Sequence, residues 1–368
     1  MRNFNFSQPL ALTLSGLLLA ACGGSSDSGE PIAFGAEGNR LLAYQTSAPW
    51  DVQTVIERRA DDPNGWDING QICFTGDESP HFIAGEDAGQ PDPPAGFGFF
   101  KLIGETVGNL SAERVGKLTP TYQGGINQAE PYGCGFLSDG RLVTTDVGNQ
   151  ASGPPNGQLI LWFPPFDQDD VAYCKLDIAI GTAQQIYVDD LDRIYVSSAR
   201  GNAGIHRFSP PYPTSNDAAG GCDRRDSTGA PLARSVDHEI FIQANANSPT
   251  PAGVAASAHG TIYVSSVLNG VIAEYDDAGV FLGRILEPPP GETLGAEPFT
   301  TGTPLGIAVA PDGSIFYADL GLVIDGARIG PGRNTGSFRV IEFADGVALP
   351  PRKLADGLAF PDGAGILR

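Results

Sequence analysis

Few residues in this chain have the type and spacing that catalysis needs. The strings GxSxG, HExxH and GxxxxGK and the EF-hand loop are all absent. Histidine occurs four times, as His81, His206, His238 and His259. His259 falls at a hairpin-turn position, where solvation is expected, and His206 falls in a strand, where packing is expected. What remains is acidic. Gly85 to Pro91 is polar and glycine-flanked, like a loop pressed near a site, and carries Asp87. Asp146 follows an apolar strand. A carboxylate within reach of a substrate proton serves as a general base, so Asp87 and Asp146 are the candidate catalytic residues if the chain hydrolyses anything.

The five cysteines divide into one and four. An apolar run from Leu10 to Ala21 follows Arg2, too short to cross a bilayer as a stable helix and suited to a signal-peptide core. It ends Leu19-Ala20-Ala21-Cys22, the pattern of a bacterial lipobox, in which the cysteine thiol is acylated and becomes the new N-terminus. We therefore expect a signal peptide over 1–21, acylated Cys22 and a flexible tether over 22–38, and a folded body over 39–368. By resemblance to enterobacterial sorting rules, Gly23 rather than Asp after the cysteine implies transfer to an outer membrane. The expected location is the cell envelope, lipid-anchored and periplasmic or on the outer-membrane face. Cys73, Cys134, Cys174 and Cys222 then sit in an oxidising compartment, where an even count implies two disulfides. Three pairings are open. Cys73–Cys134 and Cys174–Cys222 are expected, because each pair would fall on neighbouring blades of the architecture below. No CxxC or zinc-like spacing occurs.

The elements that must position these groups are short strands. The chain has 49 glycines and 30 prolines, which favours turns over long helices. Its net charge of −21, with lysine only at 101, 117, 175 and 353, repels polyanions and excludes nucleic acid as a partner. The acidity serves solubility or divalent cation binding. Four segments share one pattern of apolar strand, tight turn and β-branched or aromatic strand: 131–143, 185–196, 251–264 and 304–317. Their turns at 140, 192, 260 and 313 recur at roughly the length of a four-stranded blade. A divergent blade is expected over 65–120. The segment 357–367 reads as the opening strand of one more blade, with Leu41–Tyr44 and Val52–Ile56 as its partners. The result is an all-β, six-bladed propeller closed by pairing of N- and C-terminal strands, which leaves no open edge between first and last blades.

The phrase Thr303-Pro304-Leu305-Gly306-Ile307-Ala308-Val309-Ala310-Pro311-Asp312-Gly313-Ser314-Ile315-Phe316-Tyr317-Ala318-Asp319 resembles an NHL repeat. The whole is similar to the six-bladed group that includes senescence marker protein 30, gluconolactonases, paraoxonases and strictosidine synthase. That resemblance implies a calcium ion at one channel mouth, held by oxygens from the first strands of several blades. Pro361-Asp362-Gly363, Glu130-Pro131 and Pro63-Asn64-Gly65 look like the family motifs, which makes Asp362, Glu130 and Asn64 the candidate metal ligands. Leu305 and Ala252 stand where the family would place oxygens. The repeat also carries an acid after its second strand that bonds the next turn, the place of Asp146 and Asp319. The long stretch 213–238 is expected to cover one mouth as a lid or to bind a partner. Two functions follow as expectations. One is a lipid-anchored propeller that binds a small molecule or envelope protein at one mouth. The other is a calcium-dependent lactonase or ester hydrolase.

Overall fold

The computed structural model describes residues 30–37, 40–57, 68–76, 80–86, 95–123, 129–148, 156–168 and 170–368. Within them the chain forms six blades in a ring, each with four antiparallel strands, and the sheet of blade 3 is extended to six by two short strands of the 213–238 stretch. Blade 1 is Pro361–Leu367, Ile32–Glu37, Arg40–Gln45 and Val52–Glu57, from the axis outward. Blade 2 is Ile68–Phe74, His81–Glu86, Gly96–Ile103 and Ser111–Leu118. Blade 3 is Pro131–Phe136, Leu142–Asp146, Gln158–Trp162 and Tyr173–Asp177. Blade 4 is Ala183–Val188, Ile194–Ser198, Gly204–Ser209 and Asp237–Gln243. Blade 5 is Pro251–Ala256, Ile262–Ser266, Val271–Tyr275 and Phe281–Leu286. Blade 6 is Pro304–Val309, Ile315–Asp319, Gly336–Ile341 and Arg352–Leu358. Each innermost strand touches the next around the ring, including blade 6 with blade 1 and blade 1 with blade 2.

The core explains why the second strands open on runs of apolar residues that do not alternate with polar ones. Ile194–Ser198 is buried throughout. Ile194 and Val196 pack toward blade 3, and Tyr195 packs toward blade 5. A strand sandwiched between two blades is covered on both faces, so it needs no polar side. The same two-sided burial recurs between every neighbouring pair of blades. The expected turns are present, with φ of 83° at Gly140, 58° at Asp192, 83° at Gly260 and 90° at Gly313. This is the left-handed conformation that glycine and, less often, aspartate adopt.

Two boundaries differ from expectation. The tether was placed through residue 38, but Ile32–Glu37 is a buried strand that pairs on one side with Arg40–Gln45 and on the other with Pro361–Leu367. Its small residues Ala33, Gly35 and Ala36 conceal the strand from a propensity reading. Gly85 and Glu86, read as loop, are the end of His81–Glu86.

The stretch 213–238 is not a lid. Its Leu232 pairs in parallel with Lys175 on the outermost strand of blade 3. The Cys174–Cys222 disulfide fixes it there. So does a fully buried ion pair, with Lys175 Nζ 2.5 Å from Asp226 Oδ2. The insertion thus covers a sheet edge that would otherwise expose unpaired backbone. The second disulfide, Cys73–Cys134, joins the innermost strands of blades 2 and 3.

Candidate ligand site at the channel mouths

The innermost strands all run the same way, so the channel has an entry face, where they start, and an exit face, where they end. Counting along each strand, the second residues form a ring at the entry: Asn69, Tyr132, Gln184, Ala252, Leu305 and Asp362. The third residues are Gly70, Gly133, Gln185, Gly253, Gly306 and Gly363. Five glycines allow five strands to approach their neighbours' carbonyls. A Cβ on Gly70 would lie 2.3 Å from Tyr132 O, and one on Gly133 2.2 Å from Gln184 O. The ring is drawn tight here.

The one non-glycine, Gln185, reaches across the axis. Its Nε2 donates to Val254 O at 3.1 Å and to Ile307 O at 2.6 Å, and its Oε1 accepts from Ile307 N at 3.0 Å. Gln71, one residue deeper in blade 2, does the same in the other half. Its Oε1 accepts from Cys134 N at 3.1 Å and Ile186 N at 3.0 Å, and its Nε2 donates to Ile186 O at 2.8 Å. The innermost strands have no partner on their axial side, so their inward backbone groups need donors and acceptors. Two carboxamides supply them and close the channel.

Beyond this plug the channel widens into a cavity of about 1050 Å³ at the exit face. Its wall begins at Gln71, Gln185 and the fourth residues of the other strands and includes Phe74, Phe136, Tyr187, Val188 and Ile366. The lining mixes apolar side chains with polar ones, among them Glu30, Thr75, Glu105 and Arg368, and a concave space with a few amide groups at its floor is a common form of a small-molecule site.

The acidic candidates lie at the opposite, entry face. Asp362 is buried, and its Oδ1 accepts from Gly70 N at 3.1 Å. Its backbone oxygen accepts the Tyr132 hydroxyl at 2.5 Å. Burial, then the Asp362 and Glu130 carboxylates, push the Tyr132 pKa well up. Tyr132 therefore sits under the influence of both candidate ligands. Ala252 and Leu305 join Tyr132, Val147, Leu320 and Leu322 in an apolar cluster over the axis. Among the described residues, no three His, Cys, Asp or Glu side chains converge to hold a metal. The entry ring does offer two buried amide oxygens without a hydrogen-bond partner, Asn69 Oδ1 and Gln184 Oε1. Asn64, Asp87 and Cys22 lie outside the described residues.

Asp146 is fully enclosed. Burial raises its pKa to about 6, against the donors that favour its charged form. Its Oδ1 accepts from Glu130 N at 2.8 Å and Gly148 N at 3.3 Å, and its Oδ2 from Gln158 Nε2 at 2.8 Å. The bond to Glu130 N belongs to a series. In three other blades the last residue of the second strand also accepts from the amide just before the first strand. Ser198 accepts from Thr182 N, Ser266 from Thr250 N and Asp319 from Thr303 N. Asp146 thus performs the turn-bonding task that its repeat position implies.

His259 is exposed at its turn. His206 is buried, with Nδ1 2.8 Å from His238 Nε2 and Nε2 2.7 Å from Asn202 O.

The plug was missed in the sequence. Its signal was the break in the third-residue pattern, where Gln185 stands against glycines in the aligned repeats.

No protein-family model matches the sequence, and no curated protein matches it. Solved structures do. A chain of a nidogen–laminin complex is 11% identical with a TM-score of 0.52, covering 91% of this chain and 98% of that one. A luciferin-regenerating enzyme is 13% identical with a TM-score of 0.53, covering 90% and 92%. A gluconolactonase from Xanthomonas campestris is 16% identical with a TM-score of 0.46, covering 80% and 77%. At such identities the likeness is one of fold, and one fold serves many tasks.

Proposed function

We propose that the protein is a lipid-anchored propeller of the cell envelope that binds a small molecule with both apolar and polar groups in the exit-face cavity. The observation that carries this reading is the closed floor. Gln71 and Gln185 turn a through-channel into a blind pocket, and a pocket with a floor holds a ligand where a pore would pass it. Attachment to the bilayer rests on Cys22, because several acyl chains on one residue give a durable anchor. Titration with the neutral apolar dye Nile red tests the site. One saturable site is expected, weakened at least tenfold by Ala256→Trp, which fills the cavity wall. Unchanged binding in that variant would sink the reading.

A second reading, a calcium-dependent lactonase or ester hydrolase, is favoured by one observation. Asn69 Oδ1 and Gln184 Oε1 are buried without partners at the same ring level as Asp362. These three would supply oxygens to the hard, oxygen-seeking cation, which when bound would polarise a substrate carbonyl. Ala252, Leu305 and the Tyr132 phenol occupy the other three ring positions, so the fit is half a ligand set. Calorimetric calcium titration of the wild type and Asp362→Ala, beside a lactone and aryl-ester panel, tests it. Calcium heat and turnover that both vanish in the variant support it, and no calcium heat in the wild type removes it.

A further inference from the structure

We infer that the exit face is a docking surface for a lipid bilayer, so that the cavity opens toward the membrane rather than away from it. This rests on the anchoring proposed above and adds an orientation to it.

Two observations point the same way, and a third limits the kind of lipid. The first is where the chain enters the fold. Glu30 lines the exit-face cavity, and Thr46 Oγ1 donates to Pro31 O at 2.7 Å on that same face. Only seven residues, and so eight Cα–Cα steps, separate Cys22 from Glu30. At the full extension of a polypeptide they span at most about 28 Å. An innermost strand of six residues is itself about 20 Å long, so the entry face lies that much further from the attachment point. The tether can lay the exit face on the bilayer with slack. It would have to run nearly straight up the side of the propeller to present the entry face.

The second observation is an apolar ring. Val52 of blade 1, Ile103 of blade 2, Leu191 of blade 4, Val280 of blade 5 and Val347 of blade 6 all expose their side chains at the exit ends of their blades. Leu191 and Val347 are the most exposed, at 66% each. Blade 3 carries the 213–238 insertion instead. Among the described residues, the exposed large apolar side chains at the entry ends are Leu268, Ile324, Ile329 and Phe360, on blades 5 and 6 and the connection into blade 1. Single exposed apolar side chains are ordinary. Here one stands on each of five blades, on the face that bears the tether.

The third concerns charge. Several acids of this face are engaged with its own turns and arginines, while Glu30, Asp51, Glu105, Asp190, Asp277 and Asp345 stand exposed at the same end. Asp139 pairs with Arg141 at 2.7 Å and Asp189 with Arg193 at 2.6 Å. Asp276 accepts from Ala278 N and Val280 N, and Asp312 from Ser314 N. The net charge of −21 still opposes anionic lipid, so the partner is a zwitterionic headgroup surface.

The test uses the full-length acylated protein on phosphatidylcholine vesicles that carry a lipid-borne quencher. An environment-sensitive fluorophore is placed in turn at Leu191→Cys, Val280→Cys and, on the entry face, Ile329→Cys. Quenching at 191 and 280 is expected to exceed that at 329 at least threefold. Equal quenching at all three positions, or stronger quenching at 329, overturns the orientation. Intact mass of the same sample reports acylation of Cys22. An unacylated Cys22 overturns the anchor, and the orientation with it. An acylated protein with equal quenching overturns the orientation alone.

Discussion

The Gln185 side chain closes both hydrogen bonds of a single residue two blades away, accepting from Ile307 N at 3.0 Å and donating to Ile307 O at 2.6 Å. A carboxamide has the same donor–acceptor pair as a peptide group, so it completes a strand edge where no seventh strand fits. Replacement with leucine keeps the volume and removes the pairing. With about 1 kcal/mol for each of the three bonds, and buried backbone groups left unpaired, Gln185→Leu is expected to destabilise by about 3 kcal/mol. Chemical denaturation measures this, and a loss below about 0.5 kcal/mol would show that the bonds are dispensable.

Asp146 gives a pH dependence of definite sign. Its carboxyl rises from 3.8 to about 6 on folding because burial disfavours the charge. The folded state therefore holds the proton more tightly. The associated stability is fully present below about pH 4 and is lost as pH rises through about 6, by up to about 3 kcal/mol. Asp146→Asn keeps an acceptor for Glu130 N, and Gln158 can turn its unpartnered Oε1 toward the new amide. The variant is expected to flatten the stability profile between pH 4 and 6. An unchanged slope in denaturation curves across that range would assign the slope to other groups.

The buried ion pair is asymmetric in what its loss exposes. Burial alone would raise the Asp226 pKa, but the Lys175 ammonium and the Thr228 hydroxyl and amide hold it below its usual value. Lys175→Met removes the counter-charge and leaves that carboxylate enclosed, at a cost of about 3–5 kcal/mol. The loss should be local, seen as faster amide exchange over 213–236 with blades 5 and 6 unaffected. Uniformly faster exchange would mean that the insertion is part of the global folding unit.

Two glycines separate conformational need from spatial need. At Gly363 a Cβ would stand 1.4 Å from Gly70 O, closer than any side-chain shift can relieve. At Gly313 nothing lies within 4 Å, and only φ of 90° objects. Gly363→Ala is expected to abolish soluble folded protein, whereas Gly313→Ala costs about 1 kcal/mol. Circular dichroism of both variants checks this, and a folded Gly363→Ala would show that the ring can widen.

Much of this was legible where chemistry repeats along the chain. The hairpin turns at 140, 192, 260 and 313 announced themselves because positive φ demands few residue types. The apolar gaps at Ala252 and Leu305 were visible once the repeats were aligned. The expected disulfide pairs form, Cys73–Cys134 between innermost strands of neighbouring blades and Cys174–Cys222 between an outermost strand and the 213–238 insertion. Features made by distant residues were not legible. Lys175 meets Asp226 across 51 residues, and no local pattern marks a lysine as buried. Gln71 and Gln185 take their role from a ring that exists only after six strands converge. Ile32–Glu37 is stabilised by Pro361–Leu367, a partner that propensity cannot anticipate.

That last pairing sets an order of events. Pro361–Leu367 is the innermost strand of blade 1, so the blade begun at Ile32 is seated on the axis only by the strand furthest along the chain. Until that strand arrives, the axial edge of Ile32–Glu37 stays unpaired. A chain cut before residue 361 would hold five complete blades and nothing to close the ring.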